Sequence, residues 1–321
     1  MKIILIPALT LPDISADDVA RIQAAAGSDA EVVLTTQTEA HEHAEDAEVI
    51  LGFVPPSLFE AAPKLRWAQA TSSGVDAFLY PAFRDSDVVL TSEKGMVGEH
   101  LADHAFGLLL MLTRQLTTAY KMGPDAWNHR PELRRQQIEL SGLTMGIVGL
   151  GGTGRAMARR AHAFGMKCQA IDRDDVPSFP EVAEVKKPDF FDELLSTSDV
   201  VAICCPLTPE TRGLFNKDAF TKMKPSAFLV NVTRGEVIVE EDLVTALQEQ
   251  LIRGAALDVV PREPLPPDSA LWDMGNVVMT PHTAGASQYR AARNIDRFIR
   301  NIEHLRHNEP LEGVINKQLG Y

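Results

Sequence analysis

Three side chains of complementary chemistry each stand just after a short apolar run in the last third of the sequence. Arg234 follows Phe228–Val232, Glu263 follows Ala255–Val259, and His282 follows Val277–Thr280. An arginine carries a fixed charge on a planar fork that grips a carboxylate or polarises a carbonyl oxygen. A histidine gains and loses a proton near neutrality without help, and a neighbouring glutamate orients it and favours its protonated form. Together the three could hold an anionic substrate, donate a proton to a forming alkoxide and take it back in the reverse direction. Any one of them alone is more simply a cap or a surface residue. Three with matching roles, after three successive runs, make coincidence a poor explanation.

Upstream, Gly149-Leu150-Gly151-Gly152-Thr153-Gly154 fits the pattern G-x-G-x-x-G, directly after Thr144–Val148 and directly before an Ala- and Arg-rich stretch. Gly149 permits a tight turn, Gly151 lets backbone approach a pyrophosphate, and Gly154 lets a helix pack close to its strand. The helix N-terminus then offers free N–H groups and the positive end of its dipole. Asp172 ends the next apolar run, eighteen residues beyond Gly154. An acid there accepts from the adenosine ribose and repels a 2′-phosphate, which favours NAD over NADP. Arg173 beside it either attracts such a phosphate or lies along the adenine.

These residues need a scaffold that brings strand ends to one rim. Strands are expected at Lys2–Ile6, Glu31–Leu34, Glu48–Leu51, Leu65–Ala70 and Val88–Leu90, being short, apolar and bounded by Pro, Gly, Ser or Asp. A helix over Ser15–Ala26, started by Ser15 and stopped by Gly27, gives this part a β-α-β alternation. One long helix is expected over His100–Tyr120. A second series of about six strands follows: Thr144–Val148, Lys167–Ile171, Val200–Cys205, Phe228–Val232, Ala255–Val259 and Val277–Thr280. Helices over Arg155–Phe164, Asp192–Ser196, Asp218–Met223 and Glu240–Gln248 separate them, and Pro261–Pro267 reads as a loop. A last helix, Ser287–Arg306, places Ala291, Ile295, Phe298, Ile302 and Leu305 at helical spacing and should return the chain to its first domain. The fold class is therefore α/β, with two doubly wound parallel-sheet domains, and open sheets of this kind bind ligands at the carboxyl ends of their strands.

At 321 residues the chain is long enough for two domains. A formal charge of −13 argues against nucleic acid and anionic membrane surfaces as partners. No apolar run approaches the roughly 20 residues a membrane span needs. The N-terminus lacks the pattern of a secretory signal, and Cys168, Cys204 and Cys205 sit in strand-like runs as expected of reduced thiols. A cytoplasmic protein is the expectation.

The motifs in their order resemble the D-isomer-specific 2-hydroxyacid dehydrogenase family. They are Gly149–Gly154 with Asp172, Cys205-Pro206-Leu207-Thr208-Pro209-Glu210-Thr211, Asn231-Val232-Thr233-Arg234-Gly235, Leu257-Asp258-Val259 with Glu263-Pro264-Leu265, Thr280-Pro281-His282-Thr283-Ala284-Gly285, and Ser72-Ser73-Gly74-Val75-Asp76. The resemblance implies a flavodoxin-like substrate domain, residues 1–98 and 288–321, around an inserted Rossmann nucleotide-binding domain, residues 99–287. It implies hydride transfer between NAD(H) and C2 of a small 2-hydroxy or 2-keto acid, with Arg234, Glu263 and His282 as the catalytic triad. Arg234 and His282 would also bind substrate, the N–H groups of Gly74 and Val75 would form a second carboxylate clamp, and Phe53 would line the site by its strand-end position. Besides the glycine turn, Asp172 and Arg173, the cofactor would meet Pro206, Thr211, Val232, Thr233, Asp258, His282 and Gly285. No metal is implied, and a homodimer through the nucleotide domains is. Relatives that oxidise formate carry Gln where Glu263 stands, so the Glu–His pair favours a hydroxy acid. The alternatives are a 3-phosphoglycerate dehydrogenase, with Arg66 or Arg84 as candidate phosphate ligands, and an NADH-sensing corepressor.

Other signals carry less. His100 and His104 have the i, i+4 spacing of a zinc pair but lack a third ligand, so a structural pair is expected. His41-Glu42-His43 reads as a solvated surface. Vicinal Cys204 and Cys205 point to opposite faces of a strand and read as packing. Trp127 is either a core anchor or a residue reaching a neighbouring subunit's pocket.

Overall fold

The computed structural model describes residues 1–177, 179–182 and 184–321. The chain divides into two compact units, Met1–Val97 with Ala286–Tyr321, and Gly98–Gly285. The strands in chain order are β1 (Lys2–Leu5), β2 (Glu31–Leu34), β3 (Val49–Leu51), β4 (Trp67–Gln69) and β5 (Val89–Thr91) in the first unit. Then come β6 (Thr144–Val148), β7 (Lys167–Ile171), β8 (Val185–Lys186), β9 (Val200–Ile203), β10 (Phe228–Asn231), β11 (Gly254–Leu257) and β12 (Val277–Met279) in the second. The helices are α1 (Ala16–Ala26), α2 (Pro56–Ala61), α3 (Pro81–Arg84), α4 (Gly98–Thr113), α5 (Leu116–Met122) and α6 (Arg130–Gln136). They continue with α7 (Gly152–Ala163), α8 (Phe191–Thr197), α9 (Lys217–Lys222), α10 (Glu240–Gln248) and α11 (Arg290–His307). No helix among the described residues is long and apolar enough to cross a membrane.

In the first unit the sheet order is β2-β1-β3-β4-β5, all parallel. The order reverses at β1, as in flavodoxin-like sheets. Ile3 and Leu5 point to one face and Ile4 and Ile6 to the other, all fully buried. This is why β1 reads as an unbroken apolar run. One face packs on α1 and α11 through Ile22, Ile295, Phe298 and Ile302, with the Phe298 and Trp67 rings 5.0 Å apart. Each such side chain contributes about 1.5–3 kcal/mol on burial. The other face packs on α2 and the aromatic residues Phe78 and Phe83. α1 starts on a capping box, Ser15 Oγ accepting from Asp18 N at 3.1 Å, and stops at Gly27 with φ +96°.

In the second unit the order is β12-β11-β10-β9-β6-β7-β8, again all parallel. The chain leaves β6 toward β7 and returns on the other side at β9, so the switch point lies between β6 and β9. One face is covered by α4 and α7, the other by α8, α9 and α10.

The structure departs from the sequence expectations at several elements, and α11 begins at Arg290 rather than Ser287. The second sheet has a seventh strand, β8, whose two residues in a charged segment are too short to show a period. The expected long helix is two, α4 and α5, because Gln115 takes φ +55°, and Ile138 N takes the last carbonyl of α4, that of Thr113. α7 begins at Gly152 rather than Arg155, since the glycines form its first turn. Trp127 is 78% exposed, so it anchors no core of this chain.

Candidate active site

In the second unit the glycine turn sits at the switch point. Gly149 adopts φ +94° and donates its N–H to Ile171 O at 2.8 Å. A Cβ on Gly149 would lie 2.8 Å from Cys205 Cα, so the turn rests directly on the end of β9. A Cβ on Gly154 would overlap Gly149 O, while one on Gly151 would meet nothing within 4 Å. The first fact fixes α7 against the turn. The second leaves open space above the N-terminus of α7, whose cap Gly151 supplies no side-chain hydrogen bond. That is what a bound pyrophosphate requires. Gly98, the first residue of α4, also abuts this turn: a Cβ there would sit 2.6 Å from Gly152 C and 3.0 Å from Thr153 N.

Asp172 follows β7. Its Oδ2 accepts from Leu150 N at 2.7 Å and its Oδ1 from Asp174 N at 2.9 Å, so its carboxylate is locked beside the glycine turn. Arg173 is exposed. At the end of β9, the Thr211 hydroxyl donates to Pro206 O at 2.7 Å and accepts from Thr208 N at 2.8 Å, closing the Pro206–Thr211 loop. Burial raises the thiols, Cys168 to about 11 and Cys205 to about 12, with Cys204 shifted the same way, so these are packed thiols rather than nucleophiles.

After β10, Val232 is buried and Thr233 and Arg234 are half-buried. Fully buried Asn231 shapes this loop. Its Oδ1 accepts from Thr233 N at 3.1 Å, and its Nδ2 donates to Arg234 O at 2.8 Å. A Cβ on Gly235 would overlap the Val260 carbonyl and lie 2.5 Å from Pro261 N, so the Arg234 loop lies against the loop that carries Glu263. β11 and β12 are neighbours in the sheet, which brings the loops after them together. Glu263 Oε2 and His282 Nδ1 are 2.7 Å apart, and Glu263 Oε1 accepts from Val260 N at 3.2 Å. Both side chains keep solvent access, 38% for the glutamate and 48% for the histidine. Glu263 thus engages Nδ1 of the ring, and Nε2 is the nitrogen on its far side.

His282 has φ +54°, a conformation that side chains other than glycine seldom adopt and that surrounding bonds must hold. Asp258 supplies them. It is 2% exposed; Oδ1 accepts from Thr283 N and Oδ2 from Ala284 N, both at 2.9 Å, and its carbonyl accepts from His282 N at 2.8 Å. Gly285 follows, half-buried. The sequence allows Asp258 either a place beside the cofactor or the role of a strand-end acid that caps a turn, and the structure shows the capping. What the sequence does not display is the 2.7 Å approach of His104 Nε2 to Thr280 Oγ1, a contact that spans 176 positions.

In the first unit, half-buried Phe53 follows β3 and packs edge-on to Phe78 at 5.2 Å. After β4, the Ser72 hydroxyl donates to Gly74 O at 2.8 Å, and Val75 is buried. Arg66 pairs with Glu48 at 3.1 Å at the start of β4, the end opposite Gly74, and Arg84 pairs with its neighbour Asp85 at 2.8 Å.

Comparison with known proteins matches residues 106–284 to the NAD binding domain of D-isomer specific 2-hydroxyacid dehydrogenases. The chain belongs to that family. It is an oxidoreductase acting on CH–OH groups, and its second unit holds the family's NAD-binding domain. The dehydrogenase is 32% identical over 290 residues to a glyoxylate reductase of Korarchaeum cryptofilum, covering 87% of this chain and 85% of that one. Its structure resembles an NADPH-dependent glyoxylate/hydroxypyruvate reductase of Sinorhizobium meliloti solved with NADP and sulfate. That likeness has a TM-score of 0.80 and 28% identity over the whole of both chains. It also resembles an NAD-dependent formate dehydrogenase of Staphylococcus aureus solved with NAD, with TM-score 0.77, 26% identity, and 98% and 99% of the two chains covered.

Proposed function

We propose that this dehydrogenase reduces small, unphosphorylated 2-keto acids such as glyoxylate or hydroxypyruvate, with NADH as the preferred reductant, and catalyses the reverse oxidation. The observation that carries this reading is the 2.7 Å Glu263–His282 pair on the strand-end rim that also bears the glycine turn and Arg234. The bound dinucleotide supplies a hydride to C2. The residues of the chain do the rest. His282 Nε2 gives its proton to the C2 oxygen as charge develops there, and takes it back in the oxidative direction. Glu263 keeps the ring oriented and balances the imidazolium. Arg234 holds the substrate carboxylate through its planar fork. The N–H groups of Gly74 and Val75, which bond no protein acceptor among the described residues, form a second clamp, and Phe53 lines the substrate side. On this reading residues 1–97 and 286–321 are the substrate-binding unit.

The dinucleotide phosphates rest on Gly149, Gly151, Gly152, Thr153 and Gly154. Asp172 and Arg173 face the adenosine, and Pro206, Thr211, Val232, Thr233, Asp258 and Gly285 line the remainder. Preference for NAD is supported by the locked Asp172 carboxylate, which repels a 2′-phosphate. An unphosphorylated substrate is supported by the loops after β1, β3 and β4, which contain no Lys or Arg between residues 6–12, 52–55 and 70–76. Exposed Tyr120 and Trp127 support a homodimer, and the three packed thiols support a reducing, cytoplasmic setting. The test is His282→Asn, which keeps a polar group near the Nδ1 position and removes the titrating Nε2. Its kcat for 2-keto acid reduction should fall about 10²–10⁴-fold. Turnover at the wild-type rate would remove His282 from the chemistry.

A further inference from the structure

The geometry points to His104 as a positioning residue for His282, acting through Thr280 and Asp258, and it rests on the acid–base reading of His282 above. His104 lies on α4, far from the rim loops in sequence. Its Nε2 is 2.7 Å from Thr280 Oγ1, and that oxygen is 2.6 Å from Asp258 Oδ1. The donors in this chain can be assigned. An ionised carboxylate only accepts, so the one hydroxyl proton of Thr280 goes to Asp258. The bond between Thr280 and His104 must then use a proton on His104 Nε2. Nε2 of His104 therefore carries a proton, and its donation aims the threonine hydroxyl at the buried carboxylate. A direct approach of His104 Nε2 to Asp258 Oδ1, 3.5 Å, strengthens the same link.

Asp258 is the hub. The two N–H groups that follow His282 in the chain, those of Thr283 and Ala284, bond its carboxylate oxygens, and the N–H of His282 itself bonds its carbonyl. A left-handed residue such as His282 keeps its conformation only while its surroundings over-determine it. The link from α4 sets the hydroxyl that shares Oδ1 with Thr283 N. Without the His104 donor the Thr280 hydroxyl loses its fixed orientation, the carboxylate loses one constraint, and the turn that aims Nε2 of His282 loosens. A misplacement well under an ångström at a proton-transferring atom is enough to slow turnover.

The variants are His104→Leu, which removes the donor; His104→Gln, whose amide N–H reaches a similar distance; Thr280→Val, which keeps shape without the hydroxyl; and the Leu/Val double variant. Each is assayed for kcat at saturating dinucleotide and keto acid, at a temperature where circular dichroism shows it fully folded. His104→Leu and Thr280→Val should each lower kcat about tenfold, His104→Gln should stay within about threefold of wild type, and the double variant should be no slower than the slower single. A residue that only stabilises α4 would lower the melting temperature and leave kcat unchanged, which overturns the proposal. So would a glutamine variant as slow as the leucine, or single losses that multiply in the double. His282→Asn measured alongside separates the two levels. If it is inactive while His104→Leu is normal, only the positioning role falls; if it turns over normally, both fall.

Discussion

Gly98→Ala should weaken dinucleotide binding although Gly98 is not part of the glycine-rich turn. The added Cβ would stand 2.6 Å from Gly152 C and 3.0 Å from Thr153 N, whereas ordinary carbon contacts begin near 3.4 Å. Relief requires a shift of about 0.8 Å between the start of α4 and the start of α7. Neither side yields easily. α4 is anchored by Ala102 and Ala105, both fully buried, and α7 is pinned where Gly154 meets Gly149 O. Overpacking of this kind costs about 1–3 kcal/mol. If the turn carries the displacement, the N–H groups that receive the pyrophosphate move with it, and Kd rises roughly 5–150-fold. The assay is a fluorescence titration with whichever of NADH and NADPH binds the wild type more tightly. Gly107→Ala is the matched control, since Gly107 is exposed on the same helix and a Cβ there meets nothing within 4 Å. It should leave Kd unchanged and raise stability by about 1 kcal/mol through helix propensity, read as a slightly higher melting temperature. Wild-type affinity in Gly98→Ala would show that the turn is not held by α4 and would refute the reasoning.

Glu263→Ala should lower kcat about 10–100-fold, with the KM for the dinucleotide within about twofold of wild type, as steady-state kinetics would show; a selective rise in that KM would instead place Glu263 with the cofactor. Asp199→Asn should destabilise the second unit at pH 7 by about 1–2 kcal/mol, read by calorimetry. Burial pushes the Asp199 carboxyl up, but the bonds from Lys224 Nζ and Thr144 N, both 2.9 Å, outweigh it and hold the carboxyl below its ordinary 3.8. The stabilisation is therefore complete above about pH 4 and disappears as pH falls through the folded-state value, so the gap between wild type and variant should close in acid. A gap of constant size down to pH 3 would contradict that assignment.

The strands were legible because they are short apolar runs between Gly, Pro, Ser and Asp, as β1 and β6 show, and burial on both faces makes such runs continuous. β8 was illegible because two residues carry no period. The break at Gln115 was invisible because the residue that turns left-handed there is not a glycine. In the site, the glycine turn announces itself through backbone needs that only glycine meets, and Arg234, Glu263 and His282 through their places after strands. That Glu263 reaches His282 depends on β11 and β12 being neighbours, a fact of sheet order. The connection from His104 through Thr280 to Asp258 joins three segments distant in sequence, and its residues are ordinary in their local settings. Gly98 and Gly235 belong to the same class: their reason is a neighbouring backbone, which a single sequence does not display.

The most direct test is the rate of NADH and NADPH oxidation by the wild-type enzyme with glyoxylate, hydroxypyruvate, pyruvate, phenylpyruvate and phosphohydroxypyruvate. Rapid turnover with glyoxylate or hydroxypyruvate, faster with NADH, and little with the phosphorylated acid is the predicted result. Tight dinucleotide binding with no turnover on any of these acids would contradict the proposed activity.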